Sequence, residues 1–366
     1  MTDKEHLNAL RLIRTPQIGP ITYSLLIARY GSASEAVKAA PQLAKRQGRP
    51  LKIADIASCE AIIKQCQSSG ATMLVKYQTG YPERLNVFDD APAILFAKGH
   101  LSLFNRDMLA IVGARNASVN AMTLASKWAD EIGQAGYVII SGLARGIDRA
   151  AHIGALRHGT IGVLGSGVDV IYPEQNADIF EEMVNQGLII TEMMPGTKPS
   201  PRNFPARNRI IASLAKSTLV IEAAKQSGSL ITARDTAERG GDVMAVPGTP
   251  LDPRAAGGND LIKQGAHLVT SPQDVLDILR TPLRESTHPK TIIQRQNMTQ
   301  IDDELITKLA NEIMKMITIE AVDIDELTRQ CHVNAQMIQI ALLELELAGH
   351  VLRLSGNRVC KNLNYE

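Results

Sequence analysis

Four glycine-bearing loops hold the residues of this chain best suited to gripping an anion. They are Gly113-Ala-Arg115-Asn116-Ala-Ser118, Ser141-Gly142-Leu-Ala-Arg145-Gly146-Ile-Asp148, Gly165-Ser166-Gly167-Val-Asp169 and Ser227-Gly228-Ser229-Leu-Ile-Thr232. The first three start right after an apolar run that reads as a buried strand, and the fourth opens a helix a few residues after one. Glycine at such a turn leaves backbone N–H groups, and often a helix N-terminus, aimed at a phosphate. One such loop is ordinarily just a tight turn. Four at one predicted sheet edge make an anion site. None spells GxGxxG or GxxxxGK[ST], which disfavours a standard NAD enzyme and a Walker-type ATPase.

The strongest electrostatic signal lies between the third and fourth loops. Pro195 to Lys216 carries Lys198, Arg202, Arg207, Arg209 and Lys216, and no Asp or Glu occurs from Met193 to Ile221. Within it, Phe204-Pro-Ala-Arg207-Asn208-Arg209 offers a ring that can stack on a base and two cations that can pair with phosphate oxygens. The arginines have a second role open to them: bracing the loops through Asp148, Asp169 or Glu222. Arg145 has the same two roles open, against Asp148 or Asp169. The candidate ligand contacts are therefore Gly113, Arg115, Asn116, Ser141, Gly142, Arg145, Gly165, Ser166, Gly167, Phe204, Arg207, Asn208, Arg209, Lys225, Ser227, Gly228, Ser229 and Thr232.

No catalytic constellation accompanies them. GxSxG is absent around Ser141, Ser166, Ser227 and Ser229, and no nucleophile motif frames His152 or His158. Asp148, Asp169 and Glu192 sit singly among glycines and apolar residues, without the clustered carboxylates of a magnesium site. They read as helix caps or arginine partners. No metal and no cofactor is expected. The cysteines, Cys59, Cys66, Cys331 and Cys360, contain no CxxC pair and read as reduced thiols.

The elements that must position these residues follow from the apolar pattern. From Met108 to about Arg280, strands and helices alternate as in a doubly wound, mostly parallel, extended Rossmann-like sheet. Before it, residues 1–80 read as a small helical domain of the SAM or helix-hairpin-helix kind, with Ser34 as a helix cap and Gln17-Ile-Gly-Pro20 as a turn that can grip DNA phosphate or merely join two helices. The sheet domain is expected over 81–280, with Ala91-Pro-Ala-Ile-Leu-Phe96 leading into the sheet or edging it. A linker is expected over 281–299. Residues 300–366 read as three helices and a hairpin, the plan of a winged helix-turn-helix. Its third helix, Asn334 to Ala348, has no basic residue and two glutamates, so a structural or partner-binding role competes with duplex reading. The net charge of +1 excludes a histone-like coat but leaves room for a local basic patch. No apolar run reaches 18 residues and the N-terminus lacks a signal-peptide layout, so a cytoplasmic protein with no membrane association is expected.

Taken in order, Ser141-Gly-Leu-Ala-Arg-Gly-Ile-Asp148, Gly165-Ser-Gly-Val-Asp169 through Tyr172-Pro173, Phe204-Pro-Ala-Arg-Asn-Arg-Ile-Ile211, Ser227-Gly-Ser-Leu-Ile-Thr-Ala233, Val246-Pro-Gly248 and Gly258-Asn-Asp-Leu-Ile262 resemble the DNA-processing protein A family (DprA/Smf) over roughly Tyr81 to Leu279. The resemblance implies a homodimeric, non-catalytic recombination mediator that binds single-stranded DNA. Such a protein protects incoming strands during natural transformation and helps load the RecA recombinase; single-strand-binding protein is a further candidate partner. It also implies that Arg115 contacts DNA. The family's basic residue just before Ser-Gly-Ser-Leu falls at Gln226, with Lys225 one position earlier, so Lys225 or the neighbouring arginines must supply that charge. The competing expectation is an enzyme resembling nucleoside-monophosphate phosphoribohydrolases on the same fold, with Glu222 as its acid; their Pro-Gly-Gly-x-Gly-Thr loop is missing here.

Overall fold

The structure, a computed structural model, describes residues 2–281, 303–354 and 356–363. The chain falls into two compact units, one made of Ile62–Pro289 and one that combines Met1–Ala61 with Lys290–Glu366. The expected linker over 281–299 lies, beyond Thr281, outside the described residues.

The N-terminal helices are α1 (Thr2–Ile13), α2 (Pro20–Tyr30), α3 (Ala33–Arg46) and α4 (Ile56–Ser68), the last running across the division between units. The cap of α3 is Ser32, whose hydroxyl accepts from the Glu35 N–H at 3.2 Å. Ser34, the expected cap, instead accepts from the Asn8 amide at 3.0 Å. Helix α3 also runs through Pro41, because Ala36, Ala40, Leu43 and Ala44 keep one buried stripe.

The sheet unit contains β1 (Thr72–Val75), α5 (Glu83–Asn86), β2 (Ile94–Gly99), β3 (Met108–Gly113), α6 (Val119–Gln134), β4 (Val138–Ser141), α7 (Ile147–Ala155) and β5 (Thr160–Val163). It continues with α8 (Ala177–Gln186), β6 (Leu188–Thr191), α9 (Asn203–Leu214), β7 (Ser217–Ile221), α10 (Ser229–Glu238), β8 (Asp242–Ala245), α11 (Ala256–Lys263), β9 (His267–Leu268) and α12 (Pro272–Arg280). The sheet order is β1-β2-β6-β5-β4-β3-β7-β8-β9. Strands β3 to β9 are parallel, while β2 pairs antiparallel with β6, and β1 with β2. Residues 72–75, expected to be helical, thus form the outermost strand, since Leu74 and Val75 are buried there.

Central strands read as unbroken apolar runs because both faces are covered. The period of two sorts them: Met108, Ala110, Val138 and Ile140 join one core with Ile210, Ile211 and Leu214 of α9. Leu109, Ile111 and Ile139 join the other, with Trp128 and Ile132 of α6, Ala151 of α7 and Val275 of α12. Each fully buried Leu or Ile contributes about 1.5–3 kcal/mol.

The C-terminal helices are α13 (Asp303–Met316), α14 (Ile324–Cys331) and α15 (Ala335–Leu347), accompanied by β10 (Val322–Asp323), β11 (Val351–Leu354) and β12 (Arg358–Lys361) in the order β10-β12-β11. This is a winged helix. Asn334 caps α15, accepting from the Met337 N–H at 2.8 Å. Among the described residues no helix is long and apolar enough to cross a membrane.

Candidate nucleic-acid interface

The parallel strands bring all the glycine loops to one edge. Strands β4, β5 and β6 lie on one side of β3, and β7, β8 and β9 on the other. The chain therefore reverses direction between β3 and β7, the place where ligands settle on such sheets. Loops 114–118, 142–146, 164–173, 192–202 and 222–228 leave the carboxyl ends of five adjacent strands. At about 4.8 Å per strand they span roughly 20 Å.

Two helix N-termini at this edge are closed by the chain's own carboxylates. Ser118 caps α6, accepting from the Ala121 N–H at 3.2 Å. Glu222, just beyond β7, accepts from the Ser118 N–H at 2.9 Å and from its hydroxyl at 2.5 Å. Arg254 lies 3.7 Å from the same carboxylate. At α7, the buried Asp148 accepts from the N–H groups of Gly142 at 3.1 Å and Ala144 at 3.3 Å. Burial pushes the Asp148 carboxyl up, and the charge of Arg207 opposes that rise. Arg207 lies on Gly142: a Cβ there would sit 1.7 Å from its Nη1. Its Nη1 donates to the Val163 carbonyl at 2.8 Å. Burial lowers its pKa to about 10, so it stays charged near neutrality.

Two other helix starts carry no acid, and the chain's own oxygens hold their leading N–H groups: Ser229, Leu230 and Ile231 of α10 donate to Ser227 Oγ and to the Ser227 and Gly228 carbonyls, and Asn203 of α9 to the Ser200 carbonyl. Helices α9 and α10 have no acidic residue in their first turns. The α10 start, Ser227-Gly228-Ser229, holds two hydroxyls 2.7 Å apart and sits beside Lys225, which is 70% exposed and 3.5 Å from Asp260. At the α9 start, the Phe204 ring packs on Gly165, where a Cβ would meet Cδ1 at 3.0 Å. Tyr172 lies 5.8 Å from Phe204, ring centre to ring centre, and is 42% exposed. The guanidinium of Arg115 stands 5.2 Å over the Phe204 ring. Arg115, Asn116, Arg145, Lys198 and Arg202 are exposed or half-exposed. Arg115 and Arg145 have no carboxylate partner among the described residues. A row of cation, ring, ring and acid-free helix starts can hold phosphates and stack bases.

The structure divides the sequence-derived candidates. Gly113, Arg115, Asn116, Arg145, Phe204, Asn208, Lys225, Ser227 and Gly228 are partly or fully exposed. Others prove to be walls. The Ser141 hydroxyl is fully buried and donates to the Ile111 carbonyl at 2.6 Å. Ser166 donates to the Val170 carbonyl, and the Gly167 N–H to that of Thr197. Gly142, Gly165, Ser229 and Thr232 are buried as well. Arg207 is 4% exposed, and Arg209 pairs with Glu192, whose carboxyl is pushed up by burial against that arginine's pull. Both arginines take the bracing role, with the partners Val163, Asp148 and Glu192. Asp169 accepts from Gln65 at 3.0 Å and from the Gly196 N–H at 2.7 Å, tying two segments together. The pairing of Tyr172 with Phe204 and the plug formed by Glu222 were not singled out from the sequence. An exposed tyrosine beside Pro173 in a glycine-rich loop was the available signal for the first. Among the described residues no group of His, Cys, Asp and Glu side chains gathers around a common metal position.

This architecture matches known proteins along the whole chain. A family model described as DNA recombination-mediator protein A matches residues 72–280, a DprA-like N-terminal HHH domain matches 3–64 and a DprA winged helix domain matches 300–357. The DNA processing protein DprA of Streptococcus pneumoniae is 46% identical over 198 residues, 54% of this chain and 70% of that protein. Protein Smf of Escherichia coli is 35% identical over 282 residues, 76% of this chain and 74% of that protein. Among solved structures, the S. pneumoniae DprA crystal structure aligns with a TM-score of 0.57 at 41% identity, covering 61% of this chain and 78% of its own. DprA of Helicobacter pylori, whose structure is described in terms of its single-stranded DNA binding mode, aligns with a TM-score of 0.53 at 27% identity, covering 57% and 95%. Fold, ordered motifs and these matches agree: the chain belongs to the DNA recombination-mediator protein A family.

Proposed function

We propose that this protein binds single-stranded DNA along the carboxyl edge of its sheet and works as a recombination mediator without catalysing a reaction. One observation carries the reading. Arg115, Phe204, Tyr172 and the acid-free starts of α9 and α10 line one side of the edge, while the crevice between β3 and β7 is filled by Glu222. A mononucleotide enzyme needs that crevice for its phosphate. Here a carboxylate already takes the donors at the α6 start, and anions would repel each other there. An edge of roughly 20 Å suits several phosphates of a strand better than one. The binding mode described for the H. pylori relative supports the same ligand. In this reading Arg115 and Arg145 pair with phosphates, Lys225 supplies the charge near α10, and Phe204 with Tyr172 stacks bases. The reading extends to a homodimer that protects incoming strands in natural transformation and passes them to the RecA recombinase, alongside single-strand-binding protein.

Gel-shift titration with oligo-dT and with a matched duplex tests it. Much tighter binding to oligo-dT is expected. Arg115→Ala weakens it at least fivefold, and its affinity falls less steeply with salt, by about one unit of logarithmic slope. Equal affinity for the duplex, or no loss in the variant, removes the site assignment. Release of a base or phosphate from nucleoside monophosphates would remove the non-enzymatic reading.

A further inference from the structure

Helix α15 occupies the place of the DNA-reading helix in a winged helix-turn-helix, yet beyond its exposed first turn (Ala335, Gln336) both its faces are buried from Ile340 to Leu347. Ile338, Ala341, Leu342 and Leu345 belong to the winged helix's own core. Leu343, Glu344 and Leu347 lie outside that core and are buried too. What covers them is α3 and α2 of the N-terminal helices, which pack on α15 within the same compact unit. Ala28 of α2 packs against the winged-helix core.

The contact is polar at one point. Glu344 is fully buried, accepts from Gln47 Nε2 at 3.0 Å, and has Arg46 Nη1 at 3.5 Å and Arg29 Nη1 at 3.9 Å. His350, just past α15, has Nε2 2.9 Å from the Gln47 carbonyl. Arg353 of β11 is turned inward as well: it pairs with Glu346 of α15 at 3.2 Å and is 9% exposed in its side chain.

A major groove about 12 Å wide admits one helix. A helix with others packed on its outer face, at the usual axial distance of about 8–10 Å, does not enter it. The chemistry agrees, since the outer face presents a carboxylate and leucines rather than base-reading donors. We infer that α15 is an intramolecular docking helix, whose outward face seats α2 and α3 of the same chain with Glu344 as the key residue, so that in the intact protein the winged helix reads no duplex. The glutamate selects this partner because two arginines and an amide converge on it, and an apolar or acidic surface would leave it buried without compensation.

Hydrogen exchange on the full-length chain tests the seat. Glu344→Arg is expected to speed exchange at least tenfold in α2, α3 and α15, while β3 to β7 keep their protection. Adding Arg46→Glu restores much of the protection. Unchanged exchange in Glu344→Arg overturns the inference. Should that variant also unprotect α13 and α14, Glu344→Gln, which keeps the volume, is read instead: a threefold or greater rise confined to α2, α3 and α15 supports the seat, and no rise overturns it. Protection of α3 that depends on protein concentration would assign the seat to a second copy and overturn the intramolecular form. For duplex reading, Gln336→Ala with Gln339→Ala at the start of α15 is expected to leave duplex affinity unchanged, and a fivefold loss overturns the claim.

Discussion

At the carboxyl edge of the sheet, α6 and α7 start differently from α9 and α10. Every helix N-terminus carries roughly half a positive charge and up to four unpaired N–H donors. At α6 Ser118 accepts from the Ala121 N–H and Glu222 from the Ser118 N–H, and at α7 the donors of the preceding loop are taken by Asp148, itself balanced by Arg207. At α9 and α10 no acid is present, and the neighbours are Phe204, Ser227 and Lys225. One half of the edge is therefore tied up by its own carboxylates, and the other, open half has helix starts without an acid beside exposed cations. The same glycine-rich pattern serves both, and the position of a single carboxylate decides which outcome a loop has.

The largest expected effect is on the closed half. Gly142→Ala places a methyl group 1.7 Å from Arg207 Nη1. The arginine must move, leaving Asp148 buried without its counter-charge, at a cost of about 3–5 kcal/mol. Thermal unfolding followed by circular dichroism should show a midpoint lower by roughly 6–20 °C, given about 2–4 °C per kcal/mol in a unit of this size. An unchanged midpoint would show that Arg207 is not a brace.

A smaller effect is expected from pH. His152 of α7 is fully buried with Nδ1 2.7 Å from the Thr160 hydroxyl. That hydroxyl donates to the Ile139 carbonyl, so it accepts from Nδ1–H, and the imidazole is neutral. Burial first, and then the charge of Arg207, lowers its pKa from 6.5 to about 3. Between these values the unfolded chain binds a proton that the folded chain refuses. Its contribution to stability is thus intact above pH 6.5 and falls as the pH drops toward 3. From about pH 6.5 to about pH 5 the loss is about 1–2 kcal/mol. Urea midpoints across that range should fall more steeply in the wild type than in His152→Asn; parallel slopes would contradict a buried neutral imidazole.

The smallest effect sharpens the open half. Gly228 has ordinary helical angles, and a Cβ added there would meet only open space, so Gly228→Asp fits at the α10 start. It places a negative charge at an acid-free start. Helix stability should rise by about 0.5–1 kcal/mol, and oligo-dT affinity should drop about threefold. A variant that binds oligo-dT as well as the wild type would place the strand elsewhere along the edge.

Much of this fold is legible as periodicity. The runs at Leu188–Thr191 and Ser217–Ile221 are strands within the expected alternation, because strands buried on both faces need continuous apolar residues whatever surrounds them. Strand β1 was not legible: Thr72-Met-Leu-Val75 is short, and only its pairing with β2 makes it a strand. In the site, Arg115 was legible as a cation in an exposed loop. Arg207 was not distinguishable from it, since it lies in an arginine-bearing stretch with no acid to mark it as paired. Only burial against Gly142 separates a brace from a contact.

Sequence alone determined the alternation of strands and helices, the acid-free arginine segment and the ordered motifs of the family, since these depend on residue type and near-neighbour spacing. Tertiary structure alone decided which loops are closed, that Phe204 lies between Arg115, Gly165 and Tyr172, and that α15 is covered by α2 and α3. Each of these joins residues tens to hundreds of positions apart. Charge and hydrogen bonding act across a few ångströms of space, and only the folded chain sets which groups share them.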